Sequence, residues 1–130
     1  MTGRTVIVTG GASGIGAGIA SALAGEGANV VIADLNLDAA NAQAAKINQS
    51  GGKAIATKVD VTDRASVISG IEAAVAAFGQ LDCYFNNAGF NKPLKFLDVT
   101  EENFNAIMKV NVWGVMVGIQ EAAKQFIKQG

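Results

Sequence analysis

Gly10, Gly14 and Gly16 are spaced Gly-x-x-x-Gly-x-Gly in the stretch "TGGASGIG", directly after the apolar run Val6-Ile7-Val8. Glycines placed this way suit a loop that wraps a phosphate. Gly10 supplies a turn that a β-carbon would resist, Gly14 lets the backbone approach a pyrophosphate, and Gly16 permits tight packing of the next helix. The N–H groups at that helix start would then face the phosphates. The alternative is a set of turn glycines with no ligand. The loop lacks the Lys-Ser/Thr ending of a P-loop, which argues against an ATPase.

Asp34 follows the loop at an interval of about twenty residues, where a carboxylate can accept both ribose hydroxyls of an adenosine and repel an added 2′-phosphate. Its neighbours Leu35 and Asn36 bring no positive charge, and neither does Ser13 within the loop. NAD is therefore favoured over NADP. Asp34 could instead cap a second helix. Asp60 presents the same choice, between capping and accepting the adenine amino group. Thr62 is the better placed cap, which leaves Asp60 freer for a ligand.

Composition narrows what else this chemistry could be. The chain has 130 residues, half of them apolar, with ten basic and eleven acidic side chains spread along it. No basic stripe recruits nucleic acid or an anionic membrane. One cysteine, Cys83, and no histidine make an internal disulfide impossible and an imidazole-ligated metal site unexpected. The chain reads as a reduced, cytoplasmic protein, without a signal peptide or membrane span.

Positioning these residues requires a strand before each of them. Short β-branched runs at Thr5 to Val8, Asn29 to Ala33, Ala54 to Val59 and Leu81 to Phe85 are separated by helix-length segments. The first helix is expected from Gly14 to Glu26 with Gly27 closing it, and the second from Leu37 to Gln49 with Gly51-Gly52 beyond. The third is expected to be capped by Thr62 and stopped by Gly79. A fourth begins after Thr100 and runs to the end, with Phe104, Ile107, Met108, Asn111 and Val115 on one stripe. That stripe predicts a buried Asn111 amide. The alternation implies an α/β fold with a parallel sheet covered on both faces, in one domain spanning 1–130.

"TGGASGIG", "ADL" at Asp34, "DVTD" from Asp60, "NNAG" from Asn86 to Gly89 and "VNVWG" around Asn111 together resemble the short-chain dehydrogenase/reductase family. The resemblance implies a Rossmann-type doubly wound sheet with strand order 3-2-1-4. It implies cofactor contacts from Gly10, Ser13, Gly14, Ile15, Gly16, Asp34 and Leu35, adenine contacts from Asp60 and Val61, and ribose contacts from Asn87, Ala88 and Gly89. It gives Asn111 a catalytic part, holding a water in a proton relay. It also implies a small alcohol or ketone substrate and a homo-oligomer, dimer or tetramer, formed through the fourth helix.

The family's serine and Tyr-x-x-x-Lys pair have no counterpart in these residues. The only tyrosine, Tyr84, is followed four residues later by Ala88, and no serine follows Ser69. The expectation is that these residues form the cofactor-binding half of a longer dehydrogenase, whose later strands would cover the apolar edge of strand four and the fourth helix. Trp113 is expected in packing or an interface, and Cys83 in the core. Asn91, Lys92 and Phe96 are candidates for one wall of a substrate cleft. "VNVWGVMVGIQEA" is similar to members acting on diols and sugar alcohols, with an oxoacyl carrier-protein reductase as the alternative.

Overall fold

The β-branched runs become four parallel strands in the computed structural model, which describes residues 1–130. They are β1 (Thr5–Thr9), β2 (Asn29–Asp34), β3 (Lys53–Lys58) and β4 (Cys83–Phe85), hydrogen-bonded in the order β3-β2-β1-β4. The register pairs Val6 with Val30 and Cys83, and Val30 with Ala54. β1 and β2 therefore lie inside the sheet, and Val6, Val8, Val30, Val31 and Ile32 are fully buried. Continuous apolar strands of this kind are what a sheet covered on both sides requires.

Helices α1 (Gly14–Gly25) and α2 (Leu37–Gln49) cover one face, α3 (Arg64–Phe78) and α5 (Val115–Gln129) the other. Alanines mediate much of the first contact: Ala20 and Ala24 of α1 and Ala40 and Ala44 of α2 pack on Val6, Val8, Val30 and Ile32. Small side chains let helix axes approach the sheet closely. Gly27 (φ +83°) follows α1 and Gly79 (φ +87°) closes α3, each adopting the left-handed conformation that stops a helix. No helix is long and apolar enough to cross a membrane.

Two local expectations are corrected. Asp63, not Thr62, caps α3, its carboxylate accepting from Ala65 N–H at 3.1 Å. Thr62 gives its hydroxyl to Asp60 instead, at 2.7 Å. β4 is shorter than the apolar run suggests, because the Gln129 carboxamide takes both Leu81 N–H (2.9 Å) and Leu81 C=O (2.8 Å).

The expected fourth helix is interrupted. An α-helix, α4 (Glu101–Met108), passes into a π-helical stretch, Lys109–Gly114, before α5 resumes the α-helical winding. The wider turn shifts the phase of every later side chain. Asn111 is exposed rather than buried, and so are Phe104 and Met108 of the same stripe ahead of the wider turn. Val117, Gly118 and Ala122 face the core, whereas Val112, Trp113, Met116 and Ile119 are exposed, so one side of this helix is covered and not several.

Candidate functional site

At the carboxyl ends of β1, β2 and β4 lies a cleft of about 600 Å³. Its floor is made where β1 gives way to the glycine loop. Gly10 (φ +63°) and Gly14 (φ +53°) both adopt left-handed backbone, so a side chain at either would be strained. A β-carbon on Gly10 would also lie 3.0 Å from Ala88 Cα, whereas one on Gly14 would meet nothing within 4 Å. At Gly16 a β-carbon would collide with the Gly10 carbonyl oxygen. Gly16 thus lets the helix start close onto its own loop, a role more local than packing on the sheet. Ser13 opens α1 without using its hydroxyl as a cap.

Thr9 is the residue that sequence reasoning missed. Its buried hydroxyl donates to Phe85 C=O (3.0 Å) and accepts from Asn87 N–H (3.1 Å) and Ala88 N–H (3.0 Å). The Asn87 amide returns the contact, donating to Thr9 C=O at 2.9 Å and Gly10 C=O at 3.3 Å. These bonds lock the "NNAG" turn to the glycine loop. A polar β-branched residue ending an otherwise apolar strand was the available signal.

Asp34 ends β2 at the cleft wall. One carboxylate oxygen accepts from Ala12 N–H of the glycine loop (3.1 Å), the other from Asn36 N–H (3.0 Å). Capping of α2 falls to Asn36, which accepts from Ala39 N–H, so Asp34 does not serve as that cap. Each oxygen keeps acceptor capacity for a hydroxyl. Asp60 is less free than expected: its Oδ1 accepts from both the N–H and the hydroxyl of Thr62. Beside it, Val61 is held by the π-helical stretch, since a β-carbon on Gly114 would lie 2.8 Å from the Val61 side chain.

Ser13, Ile15, Leu35, Asn87, Ala88 and Gly89 line the same cleft with Gly10, Gly16, Asp34, Asp60 and Val61. Gly14 borders it without lining it, and Val59, Phe90 and Val110 complete the wall. Ile15 and Leu35 stand at the rim, 78% and 63% exposed, as bare apolar surfaces suited to a planar ring. Asn111 lies behind that wall. Its carboxamide accepts from Phe90 N–H (3.0 Å) and donates to Phe90 C=O (2.9 Å).

The loop beyond Phe90 does not join the cleft. Asn91 and Lys92 line a separate hollow of about 320 Å³ against Phe104 and Met108, and Phe96 is 89% exposed outside it. Tyr84 offers no base here, because burial pushes its hydroxyl up to about 12. Burial likewise raises the Cys83 thiol, which makes it a poor nucleophile. No three of the His, Cys, Asp and Glu side chains are grouped to hold a metal ion.

A family model described as short chain dehydrogenase matches residues 4–130. The chain is 42% identical over 130 residues to a 2,5-dichloro-2,5-cyclohexadiene-1,4-diol dehydrogenase of Sphingobium indicum, covering 100% of this chain and 52% of the relative. It is 40% identical over 126 residues to an (S)-acetoin-forming diacetyl reductase of Staphylococcus epidermidis, covering 97% and 49% respectively. A crystal structure of a short chain dehydrogenase from Mycobacterium avium superposes with a TM-score of 0.92 at 36% identity, over 98% of this chain and 47% of that one. The chain spans about half the length of the curated relatives it matches.

Proposed function

The chain belongs to the short-chain dehydrogenase family, and from that premise we propose that its cleft holds NAD for hydride transfer to or from a secondary alcohol of the diol, polyol or sugar-alcohol class. The observation that carries this reading is the pairing of a left-handed glycine turn at the end of β1 with Asp34 at the end of β2, braced against the loop through Ala12 N–H. Bound there, NAD supplies a nicotinamide that accepts or returns a hydride.

The chain's own residues do the holding. The start of α1 at Gly14, Ile15 and Gly16 offers N–H groups to the pyrophosphate. Asp34 accepts the adenosine ribose hydroxyls, Asp60 and Val61 flank the adenine, and the Asn87-Ala88-Gly89 backbone lies by the second ribose. Leu35 and Ile15 exclude water at the rim. Asn111, after its two bonds to Phe90, keeps a second side-chain N–H with which to hold the water of a proton relay.

The substrate class is supported by relatives whose names specify a diol and diacetyl. An oxoacyl carrier-protein reductase is the alternative within the family, disfavoured by the negative charge of Asp34. The competing reading is a dinucleotide-binding module without catalysis. The exposed Val112, Trp113, Met116 and Ile119 support pairing with a second copy. A lone free cysteine fits a reducing, cytoplasmic setting.

Calorimetric titration with NAD and NADP, followed by a panel of diols and polyols monitored at the nicotinamide absorbance, tests the proposal. Tighter binding of NADP than NAD would overturn the reading of Asp34. Binding of NAD without reduction by any alcohol, in a protein that carries the later strands as well, would favour the module.

A further inference from the structure

Lys58 ends β3 in register with Asp34, which ends β2. Neighbouring strands lie about 4.8 Å apart, and registered side chains leave the sheet on the same face. On one face Ala54 and Ala56 of β3 pack with Val30 and Ile32 of β2 beneath α1 and α2. Alternation along each strand carries Asp34 and Lys58 to that same side.

The Lys58 ammonium is uncommitted. It belongs to none of the three ion pairs, and its residue is exposed. Asp34 forms no ion pair with it; its oxygens accept from the N–H groups of Ala12 and Asn36 instead. No lysine or arginine lines the cleft itself. Lys58 is therefore the cation placed one strand from the carboxylate assigned to the adenosine ribose, on a flexible four-carbon stem.

Resting on that assignment of Asp34, we propose that Lys58 is a second determinant of dinucleotide choice, a latent partner for a ribose 2′-phosphate that Asp34 keeps silent. A 2′-phosphate brings between one and two negative charges, which the Asp34 carboxylate repels. With NAD the ammonium has no phosphate to meet. Once the Asp34 charge is removed, the ammonium one strand away is left to attract the phosphate.

Calorimetry of the protein with NAD and NADP tests this in a double-substitution cycle. Asp34→Asn is expected to tighten NADP binding roughly tenfold or more, by replacing net repulsion with attraction. Asp34→Asn/Lys58→Met should lose most of that gain, and Asp34→Asn/Lys58→Arg should keep it. Asp34→Ser provides a second neutral background for the same comparison. If the double variant with methionine binds NADP as tightly as Asp34→Asn alone, the inference is overturned while NAD binding by the wild type still stands. If the wild type binds neither dinucleotide, the cofactor reading fails and this inference fails with it.

Discussion

Asn111 and Phe90 form a two-way amide pair: the side-chain oxygen accepts from Phe90 N–H at 3.0 Å while the side-chain nitrogen donates to Phe90 C=O at 2.9 Å. Gly89 makes room for it, since a β-carbon there would stand 3.0 Å from the Asn111 oxygen. The pair anchors the turn that walls the cleft. Asn111 makes both bonds from within the π-helical stretch.

Asn111→Ala removes both bonds and should loosen Phe90. A cost of about 1–2 kcal/mol is expected, since the site is exposed and water replaces part of the loss. Amide hydrogen exchange at Phe90 should accelerate, while exchange in β1 stays slow. Unchanged protection at Phe90 would show that the turn holds itself.

Gly14→Val introduces a branched side chain at φ +53°. About 1–2 kcal/mol of backbone strain is expected from the left-handed conformation alone. NAD affinity should fall roughly tenfold or more if the helix start grips the pyrophosphate, because the backbone can no longer approach it closely. A folded variant with wild-type affinity would remove the phosphate assignment.

Thr9→Val keeps the shape of β1's last residue and deletes the hydroxyl that serves Phe85, Asn87 and Ala88. Asn87 N–H keeps Phe85 C=O at 3.0 Å, so Ala88 N–H is the amide left without a partner, at a cost of about 1–3 kcal/mol, and a fall in melting temperature is expected. Thr9→Ser should recover most of it. Equal melting temperatures for the valine and wild-type proteins would refute the staple.

Glu121 should make the protein acid-sensitive. The hydrogen bond from Lys124 holds its carboxyl below the ordinary glutamate range, burial opposes this, and Arg64 adds to the lowering. A group whose folded value is depressed stabilises fully above its unfolded value and loses that contribution as pH falls through the folded one. Melting temperature should therefore drop in acid, and Glu121→Gln should flatten that drop. At neutral pH the substitution should cost about 1–2 kcal/mol, below the figure for fully buried pairs because Arg64 and Lys124 are partly solvated. An acid slope unaltered by the substitution would place the sensitivity elsewhere.

The strands and the first three helices were legible because burial on two faces demands apolar runs, and because Gly27 and Gly79 mark helix ends in the residue type itself. The glycine loop and the place of Asp34 were legible for a related reason: each is set by local backbone shape or strand position. What escaped depends on contacts across the chain. Asp63 caps α3, which begins at Arg64, while the Thr62 hydroxyl is turned to Asp60. The exposure of Asn111 was invisible because its stripe, apolar in sequence at Phe104 and Met108, faces the loop after β4 and stays partly exposed there. Leu81 reads as strand until Gln129, far along the chain, occupies its backbone.

Two carboxamides on one helical rod grip the segment containing β4 at its two ends, Gln129 at Leu81 and Asn111 at Phe90. The rod runs for about 27 Å between those grips, at 1.5 Å per residue. It is mounted as a splint, fastened beyond both ends of the short strand. Sliding along its axis would break both fastenings together, so a load applied near Gln129 is borne in part at Phe90, on the wall of the cleft.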